Sequence, residues 1–203
     1  MMRCGLILAG GDSVRIGRKK HSIIFKGKSM IEMVANAMRR CGYDDLIIST
    51  KDGLEIDGVS GLFVSDHPEF YGPQAGLVTG LEEAISLGFE WVQIVPCDMP
   101  LLSDVLLGML WKNRDYEFGA IVPVDEQDMQ PLLALVQPSL MLESLHEAKS
   151  RANRSIFSVL EMMSVKSIEY EDLIAAGVSP HCFVNVNTDD VISEVERILD
   201  LSI

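Results

Sequence analysis

Short apolar runs that stop abruptly, each followed by a stretch of helical period, constrain this chain more than any other feature. Residues 3–9 form a buried strand pattern that ends in Gly10-Gly11. Residues 29–41 then place apolar groups at Met30, Ile31, Val34, Ala37 and Met38, with Ser29 as a helix cap and Gly42 as a stop. The alternation continues. Strands are expected at 46–49, 61–64, 91–95, 119–124, 132–136, 165–168 and 183–184, and helices at 74–87, from Ser103 or Asp104 to about 111, at 138–149, 155–163 and 189–201. Asp104 is a better placed cap for the helix it begins than Asp98. Repeated strand–helix alternation predicts an α/β fold, Rossmann-like, with a mainly parallel twisted sheet between two helix layers. With 203 residues, no internal repeat and no long linker, the chain reads as a single domain over 1–203.

In such sheets ligands bind beyond the carboxyl ends of the strands. That rule picks out three loops, 10–20, 66–76 and 96–101. The first is Gly10-Gly11-Asp12-Ser13-Val14-Arg15-Ile16-Gly17-Arg18-Lys19-Lys20. Its glycines let backbone N–H groups approach a phosphate, Arg15 can fork onto phosphate oxygens, and a lysine adds a point charge. No acidic residue lies between Asp12 and Glu32, whereas Arg15, Arg18, Lys19, Lys20, Lys26 and Lys28 do, 6 of 17 basic residues in a chain of net charge −13. The loop is neither a Walker A sequence nor the G-x-G-x-x-G fingerprint. Asp98, in Val95-Pro96-Cys97-Asp98-Met99-Pro100, stands at a strand end between prolines, where one carboxylate suffices to hold Mg²⁺ on a triphosphate. Asp66 ends another strand, as an acceptor for a ribose or base or as a turn cap.

Other chemistries lack support. The overall acidity disfavours nucleic acid and anionic membranes as partners. Cys4, Cys41, Cys97 and Cys182 form no C-x-x-C pair, which argues against zinc and dithiol redox chemistry and fits a reducing cytoplasm. His21, His67, His146 and His181 show no ligand or triad spacing, and no G-x-S-x-G elbow is present. No stretch reads as a signal peptide or a membrane span.

Leu8-Ala9-Gly10-Gly11-x-Ser13-x-Arg15-x-Gly17-x-x-Lys20 resembles the signature loop of the MobA-like nucleotidyltransferases. Gly72-Pro73-Gln74-Ala75-Gly76-Leu77 is similar to their G-P-L-A-G-L, Pro96-Cys97-Asp98-Met99-Pro100 to their P-C-D-x-P, and Asn185-Val186-Asn187-Thr188 to their N-V-N-T. The segments occur in family order across almost the whole chain, closest to the molybdenum cofactor guanylyltransferases. The resemblance implies a sheet of the nucleotide-diphospho-sugar transferase type. It implies GTP binding by Leu8, Ala9, Gly10, Gly11, Lys20, Asp66 and Asp98, Mg²⁺ at Asp98, and catalysis by Arg15, Lys20 and Asp98. Asn185 and Asn187 would face molybdopterin, and the reaction would be GMP transfer from GTP to its phosphate. Cofactor-insertion proteins are candidate partners. Arg151 and Arg154 read either as pterin-phosphate contacts or as a basic surface helix start.

The chain departs from the family pattern in places. Ile16 replaces a usual Met, Lys19 makes a Lys-Lys pair with Lys20, Ser49 replaces a usual Asn, and Gln74 replaces a common Leu. Lys20 is taken as the working lysine from its spacing after Gly17. Three alternatives follow: a cytidylyltransferase of the same fold, another guanylyltransferase, or a nucleotide-binding module with impaired catalysis. Cytidylyltransferases commonly carry L-A-A-G and lack N-V-N-T, so Gly10 and the C-terminal motif favour guanine.

Overall fold

The computed structural model describes residues 2–10 and 22–201. Its strands are β1 (Cys4–Leu8), β2 (Ile24–Phe25), β3 (Lys28–Ser29), β4 (Asp45–Thr50), β5 (Leu62–Ser65), β6 (Val92–Pro96), β7 (Ala120–Pro123), β8 (Leu135–Val136) and β9 (Val165–Ile168). Its helices are α1 (Met30–Arg40), α2 (Pro73–Ser86), α3 (Asp104–Lys112), α4 (Pro138–Ser150), α5 (Ile156–Leu160), α6 (Tyr170–Ala175) and α7 (Asp189–Leu201).

The main sheet has the order β5-β4-β1-β6-β8-β7-β9. Neighbours pair parallel at β1–β4, β1–β6, β4–β5 and β7–β9, and within this sheet only β8 runs antiparallel, wedged between β6 and β7. The chain leaves β1 for β4 and β5 on one side, then crosses back to β6 on the other. The switch point therefore lies between β1 and β6, and a crevice opens beyond their carboxyl ends. Register puts Leu8 level with Ser49 on one side and Pro96 on the other.

Alternating side chains of the strands feed two cores, as a sheet covered on both faces requires. Ile7, Ile48, Val95 and Ile121 pack with α1 and α3, and Leu6, Ile47, Ile94 and Val122 with α2, α4 and α5. The helix ends follow local chemistry. Ser29 and Glu32 form a reciprocal capping box on α1, with Ser29 N–H donating to Glu32 at 2.6 Å. The cap of α3 is Ser103, whose hydroxyl accepts from Leu106 N–H, and Asp104 instead occupies the first helical position and pairs with Arg40 at 3.6 Å.

Several elements differ from the sequence pattern: the helix expected at 155–163 shortens to Ile156–Leu160, and α6 was not visible in it. Residues 183–184 form no strand: Pro180–Phe183 is a 3₁₀ turn, started by Pro180 and capped by the Ser179 hydroxyl on His181 N–H. Phe183 and Val184 look strand-like because they are apolar, yet they are spent on separate cores. The strand at 132–136 shrinks to Leu135–Val136. A hairpin, β2–β3, turns through Lys26 (φ 49) and Gly27 (φ 78), both left-handed as a type I′ turn needs.

That hairpin matters for the site. Ile23, Phe25 and Met30 pack with Val186, Ile192 and Val195 in a third small core, which binds the N-V-N-T segment and α7 to the start of α1. At the opposite, amino end of the sheet, aromatic and cationic groups interlock. Arg3 lies 4.8 Å from the Trp111 ring centroid and Arg114 4.4 Å, while Tyr43 meets Trp111 edge-on at 6.0 Å.

Candidate active site

Backbone hydrogen bonds lace the loops at the carboxyl end together. Ala9 N–H donates to Ser49 O at 2.8 Å, Cys97 N–H to Leu8 O at 3.0 Å, Asp66 N–H to Thr50 O at 2.9 Å and His67 N–H to Ala75 O at 3.0 Å. They enclose a cavity of about 570 Å³, a size that suits a small-molecule ligand. Leu8, Ala9, Gly10, Asp66 and Asp98 all line it, together with the amino end of α2 at Gly72, Pro73, Ala75 and Gly76. A helix amino end favours an anion there through its aligned N–H groups and dipole.

Asp66 is held from three sides. The Ser49 hydroxyl, fully buried, donates to its Oδ1 at 2.6 Å. A Cβ added to Gly10 would stand 2.2 Å from Asp66 Oδ2, and one added to Gly76 would stand 2.8 Å from Ser49 Oγ and 3.1 Å from Asp66 Oδ1. Glycine at Gly10 leaves room for this carboxylate against the end of β1; a Cβ there would make the Asp66 side chain shift. Ser49, in place of the family's Asn, thus orients Asp66 from behind.

Asp98 lies one residue beyond Cys97, on the turn after β6, half-buried with its Oδ1 shielded from solvent. Its carbonyl accepts from Val186 N–H at 2.9 Å. That bond brings Asn185 and Asn187, both half-buried, next to the Asp98 turn, although neither lines the cavity itself. Asn185 donates through its amide to Phe183 O at 3.2 Å. Among the described residues no three His, Cys, Asp or Glu converge on a metal position. The Asp98 carboxylate on this cavity fits a magnesium ion that takes one or two protein carboxylates and completes its shell with phosphate and water. Gly11, Arg15 and Lys20 lie outside the described residues.

Other cavity residues carry no motif. Lys51 follows β4 and places a cation on the cavity, and Tyr71 adds an aromatic rim. The strand-end rule, applied to β4 as well as to the glycine-bearing loops, would have found Lys51. Arg154 stacks over the Tyr71 ring at 4.2 Å, so it reaches the rim, whereas Arg151 is engaged with Glu147 on α4. His67 and His146 both pack edge-on against Phe70, at 5.1 and 5.4 Å, in a packing role. The four cysteines are free thiols. Burial pushes Cys4 and Cys182 up to about 12, leaving them protonated and inert at neutral pH. No helix among the described residues is long and apolar enough to cross a membrane.

A switch-point cavity beyond the carboxyl ends of a mainly parallel sheet is where α/β folds bind their ligands. The model of the MobA-like NTP transferase domain matches residues 5–166. The chain is 31% identical over 202 residues to a Bacillus cereus (strain B4264) protein named "Probable molybdenum cofactor guanylyltransferase", covering 98% of this chain and 96% of that one. It is also 31% identical over 207 residues to a Bacillus mycoides (strain KBAB4) protein of the same name, covering 100% and 99%. In structure it is similar to molybdopterin-guanine dinucleotide biosynthesis protein A from Archaeoglobus fulgidus, with TM-score 0.81 and 24% identity over 98% of this chain and 99% of that one. The fold is shared with 2-C-methyl-D-erythritol 4-phosphate cytidylyltransferase from Thermus thermophilus, at TM-score 0.73 and 16% identity over 98% and 100%. The chain belongs to the MobA-like NTP transferase family, and it is an enzyme, a nucleotidyltransferase.

Proposed function

We propose that the protein transfers GMP from GTP to the terminal phosphate of molybdopterin. An acceptor phosphate oxygen forms a bond to the α-phosphorus of GTP, the α–β P–O bond breaks, and pyrophosphate leaves with the electron pair. The structural observation that carries the reading is the cavity that Gly10, Asp66 and Asp98 share, with Ser49 bonded to Asp66. An alanine at Gly10, as in the L-A-A-G of cytidylyltransferases, would push the Asp66 side chain aside. Asp66 accepts hydrogen bonds only, so it suits the N–H edge of guanine or the ribose hydroxyls. Full-length similarity to relatives named for guanylyl transfer supports the same reading.

Each remaining residue has a physical part in this proposal. Leu8, Ala9, Gly10 and Gly11 present backbone to the nucleotide. Arg15 and Lys20 offset charge that builds on the departing pyrophosphate. Asp98 would hold Mg²⁺ as a carboxylate holds a hard cation, and the ion would supply charge neutralisation at the triphosphate. Asn185 and Asn187 stand on the acceptor side, next to the Asp98 turn. Catalysis then rests on positioning and electrostatics, with no covalent intermediate on the protein.

Asp98→Ala tests the assignment. Mg²⁺-dependent GMP transfer is expected to fall by about 10²-fold or more, with circular dichroism and melting temperature unchanged. Turnover near that of the unaltered protein would contradict it. A preference for CTP over GTP would favour the cytidylyltransferase reading.

A further inference from the structure

The motif at the amino end of α2 departs from its family at one position, and that position makes a long-range contact. Gln74 is only 2% exposed, and its Nε2 donates to the carbonyl of Asn153 at 3.3 Å, across 79 residues of sequence. A leucine would fill such a buried position without the cost of dehydrating an amide. The amide is therefore explained by what it holds.

It holds the turn between α4 and α5. Arg151 caps α4, and Ala152 follows in the left-handed region at φ 54, where glycine is the usual occupant. Ala152 N–H donates to Lys149 O and Asn153 N–H to Ala148 O, each at 2.9 Å. The Asn153 side chain then accepts from Ser155 N–H at 2.9 Å. The turn so formed aims the Asn153 carbonyl toward Gln74 and sets the next residue, Arg154, over the Tyr71 ring at 4.2 Å. Tyr71 lines the cavity, so Arg154 is an exposed guanidinium held at its rim.

We infer that Gln74 is a positioning residue: through Asn153 it latches the α4–α5 turn so that Arg154, stacked on Tyr71, stands ready for the phosphate of the second substrate. The inference rests on the proposed reaction, in which that substrate is molybdopterin. Gln74 itself does not line the cavity, so the latch acts through Arg154 at the rim, and its effect is expected on the acceptor.

The test compares Gln74→Leu, Arg154→Ala and the double variant, with Gln74→Met as a second replacement that lacks the donor. Loss of one hydrogen bond predicts a rise of roughly 5-fold in the KM for molybdopterin, with kcat and GTP affinity unchanged. Trypsin is expected to cut faster after Arg151 and Arg154 in both Gln74 variants. In the Arg154→Ala background Gln74→Leu should add nothing to KM. An unchanged KM, an equal loss in GTP affinity, or a Gln74 effect of full size without Arg154 would overturn the latch while leaving GMP transfer standing. If the unaltered protein transfers no GMP to molybdopterin, the functional reading fails first and the acceptor role of the latch falls with it.

Discussion

The two ends of the sheet are built from opposite materials. The carboxyl end brings glycines, Ser49, Asp66 and Asp98 to a cavity rimmed by Tyr71 and Lys51. The amino end is filled by Trp91, Trp111, Tyr43 and Tyr116, with Arg3 and Arg114 over Trp111. Large rings packed with cations bury much apolar area. Small residues let backbone and carboxylates approach a ligand at the expense of packing. Stability and function are thereby separated along the strands, and substitutions at one end should leave the other largely untouched.

Either end can be perturbed alone. The largest effect is expected from Trp111→Ala, which removes a side chain 5% exposed and shared by two guanidinium groups. Denaturant titration should show a loss of about 3–5 kcal/mol, while the KM for GTP of the folded protein is unchanged. Gly10→Ala should do the reverse. Its Cβ would displace Asp66, so calorimetry should show GTP binding weakened by roughly 10-fold or more, at little cost in melting temperature. Ser49→Ala is expected to be milder, about 1 kcal/mol in GTP affinity, since only one hydrogen bond to Asp66 is lost. A large loss of stability in Gly10→Ala, or of GTP affinity in Trp111→Ala, would undo the separation.

The smallest effect is expected near neutral pH. Cys4 and Cys182 are raised from 9.0 to about 12 by burial. Between those values the unfolded chain releases protons that the folded protein keeps, so stability is full below about pH 9 and falls as pH climbs toward 12. Chemical denaturation at pH 7 and at pH 8 should therefore agree, and a fall should begin only above pH 9. Thiol reagents at pH 8 should leave Cys4 and Cys182 unmodified until denaturant is added.

Much of this arrangement was legible because it is local. Ser29 before an apolar helical pattern, Gly42 after it, and abrupt strand ends at Gly10 and Pro96 each encode their element within a few residues. The cavity was legible for the same reason, since Gly10, Asp66 and Asp98 sit just beyond strand ends. What stayed hidden depends on distant partners. The antiparallel entry of β8 has only Leu135 and Val136 to announce it, and two apolar residues carry no direction. Helix α6 buries only Leu173, too few apolar positions to show a period. Ser49 and Gln74 read as weak substitutions in their motifs, because their hydrogen bonds go to residues 17 and 79 positions away.

Guanylyl transfer at the Asp66–Asp98 cavity stands or falls on pyrophosphate release. The purified protein is given Mg²⁺ with GTP or CTP, with and without molybdopterin. Guanylyl transfer predicts pyrophosphate from GTP only when molybdopterin is present, in equal amount to the guanine dinucleotide formed, and little from CTP. Faster release from CTP, or GTP binding with no release in the presence of molybdopterin, would refute it.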